Sequence, residues 1–161
     1  MRFVRTSVAV LVVALAIGAS TASAAPQRVA HAQASACFFA KTKFVLHAGL
    51  AFYAFHHYIY DPFKAGSFSG PHKTSTIAKA AAAALVVYHE MNEALGDAKC
   101  SGALSTLVSP ITAALGLVQS AASTLKSGGV PDISTLGTTF DALGASASGA
   151  GSPIKDIVSS I

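Results

Sequence analysis

CFFAKTKFVLHAGLAFYAFHHYIY, residues 37–60, and STIAKAAAAALVVYHEMNEALGDAKC, residues 75–100, decide the fold. Apart from Gly49 the first stretch holds no Gly or Pro before Asp61-Pro62. A proline disfavours the α conformation of the residue before it and cannot continue a helix, so a stop is expected there. The second stretch is rich in Ala, Leu, Glu and Lys, the strongest helix formers. Ser75 is its expected N-cap and Gly96 its expected terminator. Between the two, DPFKAGSFSGPHKT reads as a loop. The pattern predicts an antiparallel helical hairpin, over about 36–60 and 75–98.

Cys37 and Cys100, the only two cysteines, fix its register. In an antiparallel pair, residues at one level share a constant index sum. For a Cys37–Cys100 pair the midpoint falls near Ser69, inside the expected loop, so the spacing itself supports a disulfide. Closing a loop of that length stabilises a fold by about 4 kcal/mol in the chain-entropy treatment. The same rule places His47 level with Glu90 and Tyr53 level with Ala84. At 100° per residue, His89 and Glu93 lie within about 20° of the Cys100 face, and so are expected to point at helix one. His47 flanks the Cys37 face, which carries Phe44, Ala48, Ala51 and Phe55.

Upstream, residues 1–24 have the form of a secretory signal peptide. Arg2 and Arg5 supply the charged end, Val8 to Ile17 the apolar run, and Ala22-Ser23-Ala24 the small residues for cleavage after Ala24. The run is too short to cross a bilayer well, which takes about 20 residues. Residues 25–35 read as a flexible polar arm. Loss of the signal peptide leaves nine Lys/Arg against seven Asp/Glu, with no basic cluster, which argues against a nucleic-acid partner. Two cysteines in an exported chain fit an oxidising, secreted or cell-envelope location.

Downstream the composition changes. Residues 101–125 contain no charged side chain, yet Pro110 and many Ser and Thr interrupt their apolar character. Ser109-Pro110 reads as a helix start, with the helix running to about Lys126. Asp132 reads as the cap of a shorter helix through Leu143. Residues 144–152, GASASGAGS, read as flexible linker before a last short turn. No alternating β-branched pattern occurs. The expected architecture is all-α: the hairpin extended to an irregular four-helix bundle over 36–146, followed by a flexible tail over 147–161.

Six histidines are the richest chemical signal. His89 and Glu93, one turn apart, with His47 nearby, form the candidate metal set, since imidazole and carboxylate are common ligands of transition metals. The pattern is neither HExxH nor the paired Glu-x-x-His of di-iron bundles, and a His–carboxylate hydrogen bond tying the hairpin together accounts for the same residues. Haem ligation by one of the histidines is a further metal alternative, without a CxxCH motif to support it. His56 and His57 are adjacent and so diverge by about 100°. Gly66-Ser67-Phe68-Ser69-Gly70 resembles a nucleophile elbow but has Phe68 where the serine would stand. No catalytic residue and no cofactor are expected. The reading is a small exported helical protein with a structural or binding role. A homo-oligomer or an envelope protein is the expected partner, through the charge-poor second half. A membrane-resting role for residues 101–125 is the remaining alternative.

Overall fold

The structure, a computed structural model, describes residues 37–154. The expected signal peptide, the arm and the last residues of the tail lie outside the described residues. Among the described residues the chain is all-α, with no strand.

Helix α1 (Ala40–Phe55) follows a tight turn in which Phe39 adopts the left-handed conformation at φ 63°. That conformation is strained for a bulky side chain, and here the turn sits beside the cross-link. Cys37 is bonded to Cys100 with 5.1 Å between their Cα atoms, as the spacing predicts.

Past Phe55 the expected stop at Asp61-Pro62 does not occur. A single π-turn, His56–Tyr60, inserts one extra residue, and the Asp61 N–H donates to the His56 carbonyl. Helix α2 (Asp61–Lys64) continues the helical run with Pro62 as its second residue, and the π-turn before it accommodates the proline ring and missing N–H. The chain leaves the helix only at Gly66, with φ 71°. The expected loop thus begins as helix, and its Phe68 is buried.

Helix α3 (Lys73–Cys100) is the longest element. Ser75 lies inside its first turn and donates to the His72 carbonyl at 2.9 Å instead of capping it. Gly96 does not end it. One exposed glycine weakens a helix by only about 1 kcal/mol, and beyond it fully buried Ala98 and the disulfide hold the last turn in place. The seam between α1 and α3 is lined by Phe44, Ala48, Ala51 and Phe55 on one side and by Ala84, Val87, Met91 and Ala94 on the other, all essentially buried.

A 3-10 segment, Gly102–Leu107, leads into helix α4 (Val108–Lys126). The helix begins before Ser109, and Pro110 is accommodated in its first turn. Helix α5 (Ile133–Gly149) is capped as expected: Asp132 accepts from the Thr135 N–H at 3.0 Å and from the Thr135 hydroxyl at 2.6 Å. It does not end at Leu143. The presumed linker is helical to Gly149, because Ala147 is fully buried while the Ser146 and Ser148 hydroxyls turn back onto the carbonyls of Ala142 and Gly144. Two of its glycines permit close approach to aromatic rings. A Cβ on Gly137 would lie 2.8 Å from the Tyr60 ring, and one on Gly144 would lie 3.3 Å from Phe52. Between these points Phe140 stacks on Phe55 at 4.3 Å and meets Phe52 at 5.0 Å. Helix α5 is thereby seated on the inner side of α1, and α4 lies against α3 and α5.

Candidate functional site

The inner side of the α1–α3 hairpin is covered and the outer side is not. Leu46, Leu50, Tyr53 and His57 follow one another on α1 and its π-turn at helical spacing. Lys79, Ala82, Val86 and Glu90 do the same on α3. Between these stripes runs an open groove of about 520 Å³, lined mainly by Leu50, Tyr53, Ala54, Ala82, Ala83 and Val86. Its floor is alanine, so the walls stand above it. Lys79 and Tyr58 lie at one end and Glu90 at the other. Leu46 and Val86 are each about half exposed, at 49% and 48%. The Tyr53 and His57 rings are stacked at 5.4 Å, which stiffens one wall.

At the acidic end the level-matching rule holds. His47 Nδ1 lies 2.8 Å from Glu90 Oε2, as an axial register set by Cys37 and Cys100 requires. Both side chains are largely shielded, so this is the polar tie across the hairpin. Two turns further along α3, burial raises the Asp97 carboxyl above its ordinary range, against the opposing pull of nearby His47 and Lys43. Its Oδ2 is buried without a hydrogen-bond partner.

The rotational expectation fails. His89 and Glu93 are exposed and do not turn toward α1. Cys100 is a poor marker of the α1-facing side, because Cys37 reaches it from the turn before α1 and not from the helix itself. The side of α3 that meets α1 carries Val87 and Ala94 of the buried seam together with Glu90, well round the helix from Cys100. His47, His89 and Glu93 therefore do not form a ligand set. Among the described residues no group of three or more His, Cys, Asp or Glu is placed to hold a metal ion. His72 is exposed at the start of α3, and His56 lies against the Phe52, Phe55 and Tyr60 rings.

The charge-poor second half is not the apolar surface. Gly102–Lys126 is long and apolar enough to cross a membrane by length and composition, and 28% of its most apolar window is buried in the protein. Its large residues Leu104, Leu107, Ile111, Val118 and Leu125 point into the core, leaving mostly Ser, Thr, Ala and Gly outside. Among the exposed large apolar side chains, Leu46, Tyr58 and Val86 lie along the groove, whereas Leu85 and Tyr88 border the junction of α3 with α4 beside Gln119 and Ala122. The groove was missed in the sequence because an all-round apolar helix looks like a core helix. Its signal is a second stripe of residues three and four apart on each helix, Leu46, Leu50 and Tyr53 on α1 and Ala82 and Val86 on α3.

In comparisons with known proteins, no family, no curated protein and no solved structure matches this chain.

Proposed function

We propose that the chain is a small exported helical protein, an irregular four-helix bundle with its signal peptide removed, that acts by binding and not by catalysis. The observation that carries this reading is the uncovered apolar groove on the outer face of the hairpin. Exposed apolar surface of this kind, with charge confined to its ends, is characteristic of a surface meant to be covered. Its lining offers aliphatic and aromatic contact without a paired nucleophile and base. The disulfide is compatible with an oxidising, extracytoplasmic location. The test is native mass spectrometry of protein purified from an exporting host, beside a Val86→Arg variant. Additional bound mass, as ligand or subunit, that the variant loses supports the reading. A bare monomer mass in both, with no change on concentration, overturns it.

A second reading, a protein resting on a membrane surface, draws on the apolar length of Gly102–Lys126. Co-flotation with anionic vesicles that survives Val86→Arg but is lost on Leu117→Asp favours it. Leu117 is the exposed large apolar residue of α4.

A further inference from the structure

Resting on the binding reading above, the geometry points to a specific occupant of the groove: the same groove of a second copy, packed face to face with the helices antiparallel. The charge pattern selects this arrangement. Lys79 lies at one end of the α3 stripe, and Glu90 with exposed Glu93 at the other. From Lys79 to Glu93 the helix rises about 21 Å, and Val86 stands midway. A two-fold axis along the helices would lay α1 over α3 and bring both Lys79 side chains to one end of the interface and both Glu93 side chains to the other, like charges at the same level. A two-fold axis across the helices at Val86 sets each Lys79 opposite Glu93 of the other copy, at both ends of the interface. Like charges brought together destabilise an interface and opposite ones steer it, so the antiparallel pairing is favoured.

Shape agrees with charge. Under that symmetry α1 lies over α1 and α3 over α3. The Val86 side chains meet at the centre, the Leu50 side chains lie beside them, and Leu46 comes to the level of the Tyr53–His57 stack. An isologous interface requires a patch to be complementary to itself, and ridges flanking an alanine floor with opposite charges at opposite ends satisfy that requirement. Size agrees as well. The face is about 24 Å long, from the length of α1, and about 20 Å wide, from two adjacent helices. That footprint, about 480 Å² before side-chain relief, is more than half of the roughly 800 Å² that each partner contributes to a stable dimer. An acyl chain would need one polar end and an enclosing wall, whereas this groove is open along its length and oppositely charged at its two ends.

The experiment is sedimentation velocity, with light scattering, on disulfide-intact protein from an exporting host, up to about 100 µM. Four proteins are compared: wild type, Val86→Arg, Lys79→Glu, and the exchange Lys79→Glu with Glu93→Lys. All three altered residues are solvent-exposed, so the fold is checked by circular dichroism and by the absence of free thiols. The expected results are a wild-type dimer, a Val86→Arg monomer, a dissociation constant weakened about tenfold or more by Lys79→Glu, and recovery in the charge exchange. A dimer indifferent to Val86→Arg, or a charge exchange that fails to restore it, overturns the arrangement. A strict wild-type monomer overturns the proposal. If that monomer still carries bound mass that Val86→Arg removes, the binding reading stands and only the second copy is refuted. If it carries none, both fail.

Discussion

Replacing both cysteines, Cys37→Ser with Cys100→Ser, isolates what the cross-link contributes to the hairpin. The bond spans 63 residues of sequence. In the chain-entropy treatment a loop of that size removes about 14 cal/mol/K from the unfolded ensemble, or about 4.3 kcal/mol at 25 °C. Domains of this size unfold with about 5–15 kcal/mol, so the loss is a large fraction of the whole, and the melting temperature should fall by roughly 10–20 °C. The loss should not abolish the fold. The α1–α3 seam retains Phe44, Ala48, Ala51, Phe55, Val87 and Met91 in full contact, and the His47–Glu90 pair still marks its register. Urea unfolding at 10 °C, followed by circular dichroism, should therefore show near-native helicity and a midpoint shifted to lower urea, with a steeper slope because the unfolded chain without the cross-link exposes more surface. A destabilisation under about 1 kcal/mol would mean that the unfolded chain already holds its ends together, against the loop-entropy reasoning. Loss of helicity at 10 °C without denaturant would show that the apolar seam cannot hold the hairpin alone.

Three further outcomes are expected. His47→Ala strands a shielded Glu90 and should cost about 1 kcal/mol in urea unfolding, while exposed His89→Ala should stay within about 0.5 kcal/mol; the reverse order would restore the rotational phase rejected above. Phe140→Ala removes the ring that seats α5 on Phe55 and Phe52, and should cost about 3–5 kcal/mol; hydrogen exchange in α5 should accelerate before that in α3, and uniform acceleration would contradict a separately seated helix. Asp97→Asn should stabilise the protein at pH 7, because burial raises the folded-state carboxyl and makes its charged form unfavourable there. That cost is absent below the ordinary aspartate value of 3.8, where the carboxyl is protonated in both states, so the gain should vanish in acid. A loss of stability at pH 7 would show that attraction to His47 and Lys43 outweighs burial.

What the sequence by itself determined is what depends on local chemistry or on position along an axis. Helical composition fixes the class, Asp132 caps α5 through a bond to a residue three positions away, and an antiparallel register follows from two cysteines and a constant index sum that also brings His47 to Glu90. The tertiary structure alone decided quantities that depend on neighbours from distant sequence. Pro62, Gly96 and Gly144 read as breakers, yet each lies within a helix, because a weak local preference of about 1 kcal/mol yields to burial of Ala98 and Ala147, and the π-turn re-registers the chain around the proline. The rotational phase of α3 was equally beyond reach. A disulfide at a helix end constrains distance along the axis tightly but angle about it loosely, so the sequence places His89 and Glu93 on a face they do not occupy. The groove belongs to the same class. Which of two apolar stripes on α1 is covered depends on where Phe140, Gly137 and Gly144 of α5 dock, and that choice leaves Leu50, Tyr53 and Val86 facing outward.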